Sequence, residues 1–443
     1  MDLLFSGGTI VTMDPERRVL EGDLLVRDGR IVALGEIPGE VLAAGHGQRP
    51  VDCRGKILIP GLIQSHVHLC QTLFRGQAEE LELLDWLRER IWPFEAAHDP
   101  ESLRVSAELG IAELIAGGTT ACLDMGTVRH TDAIFEAAEE TGFRLTGGKA
   151  MMDVRRGLPA GLREKTSDSL KESDRLRERW EGEAGGRLRY AYAPRFVLSC
   201  TEELLQGVAE RCADGARVHT HASESQEELA AVRERSGLDN VAYLDRLGLT
   251  GERVALAHCV WLTAREQRIL AETGTHLLHC PSSNLKLGSG LAKIPELEAL
   301  GVHVALGPDG APCNNNLDQW VEMRLMALIH LPRVGPAGFP ARKVFEAATL
   351  GGARALGLEQ EVGSLEVGKR GDLAVLDLQR PATLPGGQDI YSRLVFSAGR
   401  DCVETVAIDG QIVFDHGVFL TLDRDRVLRE ADAHARAIVG RIG

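Results

Sequence analysis

The chain has 443 residues, 44% of them hydrophobic, with nine cysteines and a formal net charge of −15 at pH 7. That length and apolar content allow a large core. The acidic balance, with Lys and Arg interleaved among acids as in Lys171–Glu181, argues against a nucleic-acid partner. The cysteines are scattered and odd in number, which fits reduced thiols better than a disulfide framework. Met1–Gly8 carries no basic segment and no long apolar run, so neither a signal peptide nor a membrane span is expected, and the reading is a cytoplasmic protein.

Along the chain, residues 1–56 read as short strands and tight turns. Leu24–Arg27 and Ile31–Leu34 are β-rich and flank Asp28-Gly29, a hairpin signal. The same texture returns at Asp372–Asp377, Val403–Ile408 and Ile412–Phe414, so residues 1–56 and 362–443 are expected to form one small β-sandwich-like domain. Between them, residues 57–361 alternate. Strands are expected at Ile57–Ser65, Thr119–Asp124, Arg144–Ala150, Leu188–Pro194, Arg217–His221, Val254–His258, Thr275–His279 and Val302–Gly307. Helical patterns lie between, for example Leu103–Ala116, Ala133–Thr141, Glu202–Cys212, Ala264–Glu272 and Leu317–Ile329. Thr201 before Glu202 and Glu203 is an N-cap followed by acids suited to the helix dipole. Eight strands alternating with helices predict an α/β fold of the (β/α)8 barrel type. Leu162–Glu183 reads as a charged, exposed helix without chemistry.

In such a barrel, functional side chains sit at the C-terminal ends of the strands. The first ends in His66-Val67-His68, and residues i and i+2 of a strand share a face. The fifth ends in His219-Thr220-His221 with Glu224 just beyond, the sixth in His258, the seventh in His279 and the eighth in Asp309. Buried polar groups need partners, and a metal ion would satisfy several at once. The economical ligand set is His66, His68, His221 and Asp309 around one divalent ion, Zn2+ first and Fe2+ as the alternative. Such an ion activates water; Glu224 is placed to carry the proton and His258 to hydrogen-bond the oxygen that develops charge. His219 is assigned a supporting or packing role. His279 either orients a ligand or touches substrate. His46, His98, His130, His276, His303, His330, His416 and His434 read as ordinary residues, and Cys70, Cys259 and Cys280 as buried thiols rather than nucleophiles.

With these residues placed, the chain resembles the amidohydrolase superfamily, and within it the aminohydrolases of amino-substituted heterocycles. The resemblance runs from Pro60-Gly61 and His66-x-His68 to Gly363–Asp372, and it implies the same ligands and the same roles for Glu224 and His258. Many superfamily members bridge two metals with a carboxylated lysine at the end of strand 4; here that strand ends Ala193-Pro194-Arg195, which implies a single metal, with Lys149 on strand 3 the residue to watch. Trp86–Pro93, Ser283–Gly290 and Asp309–Asp318 look like methylthioadenosine/S-adenosylhomocysteine deaminases. Gln71 and Arg195-Phe196 look instead like guanine deaminases, where such residues read the purine. The resemblance therefore implies hydrolytic deamination of an aminopurine base or nucleoside, with Gln71, Trp92, Arg195, Phe196 and His279 against the substrate. The rivals are an s-triazine or pterin hydrolase and, in another class, a catalytically inactive binding or scaffold protein. A homo-oligomer that takes a small aminated heterocycle, with no nucleic-acid or membrane partner, is expected.

Overall fold

The computed structural model describes residues 2–44, 47–154, 157–387 and 389–442, so His46 lies outside the described residues. Among the described residues, eighteen strands form two sheets. The strands are β1 (Asp2–Val11), β2 (Val19–Arg27), β3 (Arg30–Gly35), β4 (Gln48–Asp52), β5 (Ile57–Pro60), β6 (Leu62–Val67), β7 (Thr119–Met125), β8 (Arg144–Gly148) and β9 (Ala150–Met151). They continue with β10 (Leu188–Pro194), β11 (Arg217–Ala222), β12 (Val254–His258), β13 (His276–His279), β14 (His303–Leu306), β15 (Leu373–Leu376), β16 (Val403–Ile408), β17 (Gln411–Asp415) and β18 (Val418–Phe419).

The first sheet draws on both ends of the chain, in the order β18-β17-β16-β15-β5-β1-β2-β3, with β4 also on β1. The β2–β3 turn falls at Asp28-Gly29 as expected. Both residues have positive φ, 50° and 77°, the backbone that matches strand twist in a two-residue hairpin. The join between the two ends is the antiparallel pairing of β5 with β15, Pro60 opposite Leu373.

The second sheet is the barrel, β6-β7-β8-β10-β11-β12-β13-β14, all parallel. It closes where Asp309 N donates to His66 O (3.0 Å) and Val67 bridges Asp309. The (β/α)8 class is therefore as the alternation predicts, and Leu188–Pro194 is the fourth barrel strand. The expected first strand, Ile57–Ser65, is in fact two. β5 belongs to the terminal sheet and β6 opens the barrel, with the chain bending at Gly61. A Cβ there would lie 2.0 Å from Thr120 Oγ1, so only glycine fits the bend.

Small residues on the barrel strands, Ala121, Ala191, Ala255, Ala257 and Ala305, pack with Leu278 against Ala353 and Leu356 in one buried cluster. Small side chains leave room for helix residues to fill one end of the barrel, so the other end holds the chemistry. A buried bidentate pair, Arg144 Nε to Asp372 Oδ2 (2.7 Å) and Nη2 to Oδ1 (2.9 Å), ties the barrel to the terminal sheet.

Thr201 caps the helix Glu202–Ala213 by accepting from Leu204 N at 3.2 Å. The charged segment forms a helix over Thr166–Trp180, exposed or half-buried apart from a buried stripe of Ser169, Ser173, Leu176 and Trp180. The nine cysteines are all free and buried. No helix among the described residues is long and apolar enough to cross a membrane.

Candidate active site

The strand ends bring His66, His68, His221 and Asp309 together, with one potential ligand atom from each and all of these within 4.8 Å of one another. Their outer hydrogen bonds fix which nitrogens face inward. A carbonyl only accepts, so His68 Nδ1 donates to Met125 O (2.7 Å) and His221 Nδ1 to Arg195 O (2.7 Å), which leaves both Nε2 atoms with free lone pairs. His66 Nδ1 is held 2.7 Å from His219 Nε2, and its Nε2 is buried without a hydrogen bond. His66 Nε2 and His68 Nε2 each lie 3.3 Å from Asp309 Oδ1, and the His68 and His221 Nε2 atoms are 3.3 Å apart. Three lone pairs and a carboxylate oxygen facing one point need a cation between them. This N3O donor set fits a single divalent ion such as zinc.

Electrostatics agree with that reading. Burial lowers His66 and His221 below the usual imidazole range and His68 to about 3, so the rings stay neutral. For Asp309, burial favours the acid, but the hydrogen bond with His66 and the imidazoles of His66, His258 and His68 around it hold it well below the usual carboxylate range. Ser283 Oγ donates to its Oδ2 at 2.6 Å.

Glu224 lies beyond β11 and His258 at the end of β12, their side chains 3.5 Å apart at Oε2 and Nε2. Burial raises Glu224 to about 7. His258 donates through Nδ1 to Asn284 Oδ1 (2.8 Å), which aims Nε2 inward. Burial pulls His258 down, yet the charges of Glu224 and Asp309 outweigh it and leave the ring raised. Ser223, His258 and Asp309 all have positive φ, 56°, 72° and 66°. Strained backbone of this kind gathers where side chains must be re-aimed.

His68, His221, Glu224, His258 and Asp309 line one side of a pocket. Leu83, Trp86, Leu87, Phe196 and Leu287 give it an apolar side, and Gln71, Arg195 and Glu228 complete it.

Residues 57–413 match the amidohydrolase family. The chain belongs to that family. A 5'-deoxyadenosine deaminase of Methanosarcina mazei is 36% identical over 444 residues, covering 100% of this chain and 99% of its own. A 5-methylthioadenosine/S-adenosylhomocysteine deaminase of Syntrophobacter fumaroxidans is 37% identical, covering 99% of this chain and 98% of its own. Among solved structures, a zinc-bound adenosine deaminase from Xanthomonas campestris superposes with a TM-score of 0.92 at 32% identity, covering 99% of each chain.

Of the residues expected against substrate, Gln71, Arg195 and Phe196 line this amidohydrolase pocket, and Trp92 and His279 do not. Trp92 packs instead in an apolar cluster with Trp86, Met125 and Phe196. His279 is buried, its ring 5.6 Å from that of His330 on the helix Gln319–Val334. His219 is the hydrogen-bond partner of His66, the supporting role expected of it. Lys149 stays away from the site: its Nζ lies 2.9 Å from both oxygens of Glu164. Burial pushes the thiols of Cys70, Cys259 and Cys280 well above their ordinary range, as for packing groups.

Sequence reasoning passed over Glu95. It accepts from Arg195 Nη1 (2.6 Å), Arg195 Nη2 (3.1 Å) and Gln71 Nε2 (2.9 Å). Its only sequence signal is an acid in the apolar run Trp92–Ala97, too weak to place it beside a pocket.

Proposed function

We propose that this chain is a metal-dependent hydrolase that releases ammonia from the six-membered ring of an aminopurine, with 5'-substituted adenosines as the preferred class. The observation that carries the reading is the convergence of His66, His68, His221 and Asp309 on one point beside Glu224 and His258, in a chain matched end to end by adenosine-type deaminases.

The four ligands would hold one divalent ion, which supplies Lewis acidity and brings the ionisation of a coordinated water toward neutral pH. Glu224, its acid form favoured up to about pH 7, takes the water's proton and passes it to the ring nitrogen as the neighbouring carbon is attacked. His258 Nε2, aimed inward by Asn284, hydrogen-bonds the oxygen that gains charge. Water's oxygen stays on carbon, one of its protons stays on the ring nitrogen and the other leaves with the amine, so the products are the oxo-purine and ammonia. The apolar wall of Leu83, Trp86, Leu87, Phe196 and Leu287 excludes bulk water and packs against the ring.

The Arg195–Glu95 pair favours adenosine over guanine. A guanine carbonyl would call for a free guanidinium, and this one is already bound to a carboxylate at both nitrogens. The reading for a guanine-like base keeps one point in its favour, that Gln71, Arg195 and Phe196 lie together on the pocket wall. Ammonia release from zinc-loaded protein decides between them. Adenosine, 5'-deoxyadenosine, 5'-methylthioadenosine and S-adenosylhomocysteine should turn over well ahead of guanine, pterins and s-triazines. Turnover of guanine alone would transfer the reading to that class, and no ammonia from any of them would sink it.

A further inference from the structure

We propose that Glu228 is a positioning residue for Glu224, holding the proton-carrying carboxylate in place through hydrogen bonds that its side chain accepts rather than through its charge. The inference rests on the reading of Glu224 given above. Glu224 follows Ser223, whose left-handed backbone (φ 56°) turns the chain sharply after β11. That turn is clamped from two directions. Ser223 O accepts from Val260 N and Trp261 N, both at 3.0 Å, which fixes it to the loop after His258. On the other side Glu224 N donates to Glu228 Oε2 at 2.7 Å.

Glu228 is itself anchored. It sits in the first turn of the helix Gln226–Ser236, is 1% exposed, and its Oε1 accepts from Asn240 Nδ2 at 2.6 Å. Both carboxylate oxygens thus face N–H donors, an arrangement suited to holding a peptide group and not to exchanging a proton. Among the described residues, the side chain of Glu224 has only the weak partners Ser289 Oγ (3.3 Å) and His258 Nε2 (3.5 Å). Its aim therefore depends on the backbone that Glu228 pins. Displacing a catalytic group by about 1 Å can cost up to about 10²-fold in rate.

Asn240 supplies the discriminating test, because its Oδ1 is buried without a hydrogen bond. In Glu228→Gln the amide oxygen still accepts from Glu224 N, and Asn240 can flip its amide to meet the new NH2 group. That variant should keep kcat within about threefold of wild type. Glu228→Leu removes both bonds and should lower kcat by about tenfold or more, with KM and metal content near wild type. If the leucine variant does not fold, Asn240→Leu removes one anchor of the same carboxylate and should lower kcat less, again at unchanged KM.

A folded, metal-replete Glu228→Leu with wild-type kcat would overturn the proposal, as would an unchanged kcat in Asn240→Leu where that variant stands in. A glutamine variant as impaired as the leucine one would show that charge, not hydrogen bonding, matters. Near-normal turnover in Glu224→Gln would sink the reading of Glu224 itself and this one with it. An inactive Glu224→Gln beside a fully active Glu228→Leu would sink this one alone.

Discussion

Arg195 and Glu95 are locked together in the pocket wall, Nη1 2.6 Å from Oε2 and Nη2 3.1 Å from Oε1, each 2% exposed. Removing one member of such a pair leaves the other charge buried and unpaired, at a cost of about 3–5 kcal/mol. Arg195→Met should therefore lower stability by that order and reduce turnover of adenosine-type and guanine-type compounds together. Adding Glu95→Gln in the same chain should restore most of the loss. Thermal or denaturant unfolding of the three proteins checks this. A stable Arg195→Met in which guanine turnover alone collapses would show that the guanidinium reads the ring.

The metal prediction follows from four ligands meeting at one point and from Lys149 being held elsewhere by Glu164. Purified protein should contain close to one zinc, or a similar ion, per chain. His68→Ala and Asp309→Ala should each strip it. Because the ion binds only the folded site, chelation should lower the melting temperature by mass action. Elemental analysis that finds two tightly held ions per chain would contradict the single-metal site.

Glu224→Gln keeps the size of the side chain and some of its hydrogen bonding but cannot cycle a proton. Metal content should stay at the wild-type level. Since burial disfavours the ionised carboxylate, stability near neutral pH should be at or above wild type. Activity should drop by at least ~10²-fold. Near-normal turnover in a metal-replete variant would move the proton-carrying role to another residue.

The cluster that could hold a metal ion was legible because a barrel presents chemistry at strand ends, and the histidines and Asp309 sit where apolar runs stop. What was not legible depended on phase and on distance along the chain. His279 lies on a strand of only four residues, His276–His279, too short for alternation to show which face it takes; Leu278 packs with the small barrel residues and His279 against the ring of His330. The break at Gly61 was hidden because Ile57–Pro60 and Leu62–Val67 are both fully buried and only one residue separates them, too short a gap to mark two strands. Glu95, Asn284 and Glu228 act through partners distant in sequence or on local turns, and no periodicity marks such contacts.

The last prediction concerns Glu322, a carboxylate in the helix Gln319–Val334 that is wholly buried. It accepts from Ser282 N (3.1 Å), Asn314 Nδ2 (2.9 Å) and Ser282 Oγ, so it braces the short helices that follow β13 and β14. Burial raises it to about 7 from an ordinary value of 4.5, despite those donors. The folded protein therefore binds this proton more tightly than the unfolded chain does. Its contribution to stability is full below about pH 4.5 and is lost as pH rises to about 7. At about 1.4 kcal/mol per pKa unit, the loss is at most a few kcal/mol. Glu322→Gln abolishes that titration, whatever fixed offset the altered hydrogen bonding introduces. Melting temperatures of both metal-saturated proteins, compared between about pH 5 and about pH 8, should show the variant gaining on wild type as pH rises. A difference that stays constant, or that moves the other way, would mean that the three donors hold Glu322 ionised in the folded protein across the whole window.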